Sequence, residues 1–380
     1  MHLPPICLCM IVRNEAAVIL RCLSSVRPFI SHWAIVDTGS TDQTRALIRR
    51  ALDKLPGKLV TRHWTNDFSI HRNQANTLAI KVMGTDQGFL FFIDADETLV
   101  LTDRTQFLRL LARRTTISWW AVHGDWCFRK LGIVRADVAG EWKGARHEQL
   151  QLRSSSKLTN QVQPWAHLLY GDDGNRRKNV NYSVEDVAAL LQDHTGEMPV
   201  DFRSRFFLGR TYETIGDFHR AAKCYQLALA VEPVVLDDRW QALWGLARTQ
   251  LVSDRAAAAH MLHKASVLAP TRAEPFVELA SLARQARIYG HAVTLARAAL
   301  NCNEPTNTSM YDNSAYGWRA VDELALSAVA VNDADSIGAA LDRYKLLIKL
   351  KAVPNTELLR IEKNIRVLHK VSQRAVTKEN

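Results

Sequence analysis

The chain has 380 residues, 47% hydrophobic and 23% charged, a usage that excludes fibrous and disordered classes and suffices for two or three domains with cores of their own. Its formal net charge of +10 is uneven: residues 1–180 hold 25 Lys+Arg against 16 Asp+Glu, net +9, and the rest hold 24 against 23, net +1. A positive field over the first half attracts anions such as nucleotide diphosphates, nucleic acids or acidic surfaces, and carries no information about fold.

No apolar run approaches the ~18 residues of a membrane span. The opening Ile6–Val12 is closed at once by Arg13-Asn14-Glu15, with no basic segment before it and no small-residue cleavage site after it, so it is expected to be a buried first strand of a cytoplasmic protein. Cys7, Cys9, Cys22, Cys127, Cys224 and Cys302 are scattered without CxxC pairs and read as reduced. Further strands are predicted at Trp33–Asp37, Lys58–Trp64 and Gly88–Ile93, with helices at Glu15–Val26, Thr41–Leu55 and Ser69–Met83. That alternation predicts a Rossmann-like, mostly parallel sheet covered by helices, with ligands beyond the carboxyl ends of the strands. Residues 117–170 change character: Trp119, Trp120, Trp126, Trp142 and Trp165 interleave with His, Arg and Gly in short strand-like pieces expected to build a site. Aromatic faces stack on sugars and bases, but most of these tryptophans are expected in cores.

A polar stretch at 171–179 marks a boundary, and the pattern becomes helical from Tyr182. The spacing of Leu208, Gly209, Tyr212, Gly216, Ala221, Tyr225, Ala228 and Pro233 resembles the 34-residue tetratricopeptide pattern, and two weaker copies end near Pro270 and Pro305. The expected division is a catalytic domain over 1–170, a basic linker and connecting helix over 171–200, a repeat domain over 201–368 and a frayed tail over 369–380.

The chemistry concentrates at strand ends. Phe91-Phe92-Ile93-Asp94-Ala95-Asp96-Glu97 drives an apolar strand into two carboxylates, hard oxygen ligands placed where a divalent cation bridging a diphosphate would sit; a solvated turn would look the same. Asp37, at the end of the second strand, can accept from a base N–H or a ribose hydroxyl, and Ser40 or Thr41 can cap the next helix. Arg13 and Arg72 are placed where a guanidinium suits a diphosphate. Arg113-Arg114, Arg129-Lys130 and Arg176-Arg177-Lys178 are either a solvated face or an acceptor track.

Together, Cys9–Glu15, Asp37–Asp42, Arg72-Asn73 and Ile93–Glu97 resemble the family 2 glycosyltransferases of the GT-A fold. With repeats appended, the chain is most similar to the branch that includes bacteriocin peptide S-glycosyltransferases and lipopolysaccharide-type sugar transferases. The resemblance implies a UDP-sugar donor and a divalent metal, Mn²⁺ or Mg²⁺, on Asp96. It implies that Asp37 reads the uracil, that Asp94 lies at the ribose, and that Arg13, Glu15, Arg72 and Asn73 belong to the donor site. A later His would complete the metal site: His167 is the candidate, with His147 in the WxGxxHE-like element Trp142–Glu148 as the alternative. Direct displacement at an anomeric carbon needs a base for the acceptor's proton. Glu148 is expected to supply it, or else His147.

The reading is a metal-dependent, inverting glycosyltransferase acting on a polymeric acceptor, either peptide or protein gripped by the repeats or a hydroxymethylated base in DNA reached through the basic half. The alternatives are a lipopolysaccharide-type transferase and a non-catalytic repeat scaffold with a decayed transferase domain.

Overall fold

The apolar run Ile6–Val12 forms strand β1, central in its sheet and enclosed from both faces as such a run requires. Strand β2 (His32–Asp37) lies parallel on one side of it and β4 (Phe89–Phe92) parallel on the other, with β3 (Gly57–Thr61) parallel outside β2. The computed structural model describes residues 4–113, 116–153, 162–171, 173–178, 181–192, 198–232 and 234–379. Arg114, Asp172, Asn179 and Pro233, and the Arg177 side chain, lie outside the described residues. The chain forms two units, Met1–His123 with Phe128–Val200, and Gly124–Cys127 with Asp201–Asn380.

In the first unit, helices α1 (Ile19–Val26), α2 (Thr44–Ala51) and α3 (Phe68–Met83) connect the parallel strands. Helix α3 opens on Asp67, whose carboxylate accepts from the Ser69 and Ile70 amides, and closes on Gly84 in the left-handed conformation, the capping chemistry expected at each end. Residues 117–170 are more regular than expected. After β5 (Glu97–Leu101) and helix α4 (Arg104–Ala112), strands β6 (Ile117–His123), β7 (Trp126–Arg135) and β10 (Val162–Tyr170) extend the main sheet in the order β3-β2-β1-β4-β7-β6-β10-β5. Among the described residues, β8 (Ala139–Lys143) and β9 (Gln149–Leu152) form a separate antiparallel hairpin. Helix α5 (Tyr182–Gln192) belongs to this unit.

Trp119 is fully buried and Trp142 nearly so. Trp165 packs partly buried against the same core as Trp119. Those three tryptophans fill cores.

The second unit is a run of antiparallel helix pairs: α6 (Phe202–Ile215) with α7 (Phe218–Leu229), α8 (Leu236–Gln250) with α9 (Arg255–Leu268), and α10 (Ala273–Gln285) with α11 (Tyr289–Leu300). A fourth pair, α12 (Trp318–Val331) and α13 (Ala334–Lys349), follows an insertion carrying the short β11 (Met310–Asp312). Asp217, Asp254 and Asp333 cap α7, α9 and α13, each accepting from an amide three residues on. Tyr225 binds the pairs together: it is buried between Gly209 and Gly245, and a Cβ at Gly245 would lie 2.6 Å from its ring. Helix α14 (Asn355–Glu379) runs through the segment expected to fray; Ile361 and Leu368 are buried along it.

Candidate active site

The order β2-β1-β4 places the carboxyl ends of three parallel strands side by side, at the point where successive connections leave in opposite directions. Open α/β sheets form ligand crevices there. The loops after β1 and β2 are knitted together. Asn14, in the left-handed conformation at φ 56°, donates its amide to Ser40 Oγ at 2.9 Å and accepts from the Thr41 amide at 2.7 Å, while the Glu15 amide donates to Thr44 Oγ1 at 2.7 Å. Ser40 and Thr41 therefore do not cap α2. The N-cap position is Gln43, without a side-chain bond, and Asp42 before it accepts from the Thr44 amide at 2.9 Å.

Asp37 is fully buried. Its Oδ1 accepts from the Gly39 and Ser40 amides at 3.0 and 2.9 Å, while Oδ2 has no hydrogen-bond partner. A buried acceptor without a donor costs free energy unless a ligand or water supplies one. Arg13, next to this edge, is exposed.

The loop after β4 is held by cations. Asp94 Oδ1 pairs with Arg72 Nη2 at 3.0 Å and Oδ2 with Lys130 Nζ at 2.5 Å; Lys130 reaches Glu97 Oε2 at 2.7 Å, and that oxygen also accepts from the Asp94 amide at 2.7 Å. Although burial opposes it, Lys130 and Arg72 hold the Asp94 carboxyl well below the usual range. Glu97 is fully buried, its Oε1 has no partner, and burial pushes its pKa up to about 7. Arg72 also binds Glu148 Oε1 through Nε at 2.5 Å and lies 5.2 Å over the Trp142 ring. One guanidinium thus joins the expected base to the expected ribose carboxylate, 54 positions apart in the chain. Asn73, expected at the donor, instead clasps the Trp142 backbone, donating to its carbonyl at 3.0 Å and accepting from its amide at 2.8 Å.

Glu148 and His147 lie in the loop between β8 and β9. Arg146, also in that loop, is buried and fastens it: Nε pairs with Asp186 at 2.7 Å, and Nη1 and Nη2 donate to the Asn66 carbonyl and side-chain oxygen at 2.8 and 2.7 Å. His147 is exposed, with a left-handed backbone at φ 51°.

Asp96 sits beneath the segment that follows β10. A Cβ on Gly174 would lie 2.6 Å from Asp96 Oδ2, and the Gly171 amide donates to the Asp96 carbonyl at 3.0 Å. Glu15 accepts from the Asn175 amide at 3.1 Å; burial pushes its carboxyl up to about 7, and the Asp96 and Asp94 charges add to the rise. Arg21 pairs with Asp173 at 2.8 Å alongside.

The structure does not bring His167 to Asp96. His167 pairs with Val100, three positions along β5 from Glu97, or about 10 Å at the rise of a strand. Tyr170 is the β10 residue opposite Glu97, and burial together with the Asp96 and Asp94 charges pushes its phenol up. Among the described residues no three His, Cys, Asp or Glu side chains form a ligand group. Asp96 and Glu15 suit a Mg²⁺-like ion that takes one or two protein carboxylates and completes its shell with phosphate oxygens and water, not an all-protein cage.

The sequence reading missed Lys130 and Arg146 as members of the site, and Arg176 pairs with Asp186 and lies 4.7 Å over Phe68. Lys130, largely withdrawn from water in its ion pairs, is therefore not part of a solvated face or a free acceptor track, whereas Arg176 stays exposed while it pairs with Asp186. The signal for Lys130 is register: Phe89↔Arg135 and Phe91↔Ile133, continued three positions, set it opposite Asp94.

Residues 7–123 match the model of the family described as glycosyl transferase family 2. A TPR repeat-containing protein of Synechococcus elongatus is 38% identical over 99 residues, 26% of this chain; the match spans 22% of that relative's length. Among solved structures, MamA is similar over 46% of this chain and 90% of its own, with TM-score 0.35 and 14% identity. The S. aureus protein TarS is similar over 70% of this chain and 53% of its own, with TM-score 0.32 and 11% identity. Among the described residues no helix is long and apolar enough to cross a membrane.

Proposed function

We propose that the first unit transfers a sugar from a nucleotide diphosphate donor, UDP-linked, to a peptide or protein acceptor recruited by the helical repeats. The observation that carries this reading is the set of carboxylates at the carboxyl ends of the two strands that flank β1, Asp37 with an unpaired buried oxygen after β2 and Asp94 with Asp96 after β4, in the stretch that matches the family model. Asp37 Oδ2 accepts from the base N–H, Asp94 takes a ribose hydroxyl, and Arg13 meets the diphosphate from the end of β1. Asp96 and Glu15 would hold a Mn²⁺ or Mg²⁺, which when bound offsets the charge of the departing diphosphate. Glu148 takes the acceptor's proton as the acceptor atom bonds to the anomeric carbon and the bond to the diphosphate oxygen breaks, inverting that centre. Arg72 holds Glu148 at that place.

A peptide acceptor is favoured over DNA because helical-repeat surfaces suit extended chains and Lys130, one of the basic pair 129–130, is turned inward onto Asp94 and Glu97. The test is incubation with a panel of nucleotide sugars and Mn²⁺, then mass spectrometry of peptide and modified-DNA acceptors. Asp96→Ala should abolish donor hydrolysis and transfer. Glu148→Gln should keep donor affinity and lower transfer by ~10²-fold or more. No turnover of any nucleotide sugar by the wild type would defeat the reading.

A further inference from the structure

We propose that Lys130 is a positioning residue of the donor site, acting through Asp94. The inference rests on the reading above, in which Asp94 meets the ribose.

Three observations carry it. Strand β7 runs antiparallel to β4, and its register sets Lys130 opposite Asp94, just beyond the last paired residues. The ammonium is largely withdrawn from water, with 23% of its side chain exposed, and bonds Asp94 Oδ2 at 2.5 Å and Glu97 Oε2 at 2.7 Å. Both acceptors lie within the four residues from Asp94 to Glu97, the turn into β5, which Glu97 closes on itself by accepting from the Asp94 amide.

Lys130 therefore ties down the loop that presents both candidate donor carboxylates, Asp94 and Asp96. With Arg72 on Oδ1, it fixes both oxygens of Asp94 and hence the plane of that carboxylate. Removing the ammonium would leave Asp94 and the buried Glu97 facing each other, and like charges so placed repel. A fixed carboxylate meets a ribose hydroxyl without first losing rotamer freedom, which is where preorganised groups add affinity.

The experiment measures binding of UDP with Mn²⁺ by titration calorimetry, alongside thermal unfolding. Lys130→Met should weaken UDP binding about 10- to 100-fold, the usual range for losing a group that supports a ligand-binding residue. In an Asp94→Asn background the same change should weaken it less than about threefold, because its partner's role is already gone. Should Lys130→Met fail to fold, Lys130→Met with Glu97→Gln removes the surplus buried charge, and is compared with Glu97→Gln alone; a loss of at least tenfold is again expected. Wild-type affinity in the Lys130 variants, or an equal loss with and without Asp94, would overturn the inference and leave the donor reading standing. If the wild type binds neither UDP nor any other nucleoside diphosphate with Mn²⁺, the donor reading itself falls and takes this inference with it.

Discussion

Glu97 holds its proton more tightly in the folded chain than in the unfolded one, because it is buried without full compensation from Lys130. The sign follows. Its contribution favours the fold most below pH 4.5, declines as the pH rises from 4.5 towards 7, and is flat above that. Glu97→Gln keeps the size and cannot ionise. Denaturant unfolding at pH 5 and pH 8 should therefore show the wild type losing more stability between the two than the variant does. Parallel losses would mean that Glu97 stays ionised throughout. At the same scale Asp37 shows how a site residue differs from a turn residue of the same type. Two amides fix one of its oxygens and leave the other buried and unpaired, a distinction no sequence pattern carries.

Arg146 governs an element, the hairpin that carries Glu148. Removing its side chain would free that loop from Asn66 and leave Asp186 to Arg176 alone. Breaking a buried pair so that one charge is left alone costs about 3–5 kcal/mol; because Asp186 keeps Arg176, Arg146→Ala should lower stability by less than that in denaturant melts and depress transfer more than donor affinity. In the repeats, Gly245→Ala would drive a methyl into Tyr225 and should cost about 1–3 kcal/mol as overpacking; an unchanged midpoint would show that Tyr225 can shift aside.

The elements differ in how legible they were. β1, β2 and α3 were readable because an unbroken apolar run or a capped helix carries its own local signal. β7 and β10 were not, since Arg129-Lys130 in the first and Pro164 and His167 in the second interrupt the pattern that marks a strand. Whether His167 reaches the loop after β4 depended on its pairing with Val100 of β5, and a long-range register leaves no trace in local spacing. The fourth helix pair was hidden by the insertion at 301–317, which breaks the period.

For the whole molecule, the excess of positive charge on the first half suggested a nucleic acid track; the peptide reading and the inward-turned Lys130 predict otherwise. Titration of labelled single- and double-stranded DNA should show none of the fall of about 10³-fold between 50 and 200 mM salt expected of six phosphate contacts; a slope that steep would restore the DNA reading. The two units also differ in kind, one a sheet closed by long-range pairing and the other a stack of neighbours. Yet the stack is not contiguous in sequence. Gly124–Cys127, the turn after β6 together with the first two residues of β7, counts with the repeats: the Asp125 carbonyl accepts from the Asn313 amide at 2.7 Å, and Trp126 packs 5.3 Å from Trp244. No single cut of the chain separates the units whole. A chain ending at Val200 carries off four residues the repeats use, and a chain starting at Asp201 leaves the Trp244 ring and the Asn313 amide without their partners. A repeat array transplanted between proteins would have to bring along a tetrapeptide encoded some 75 codons upstream of it.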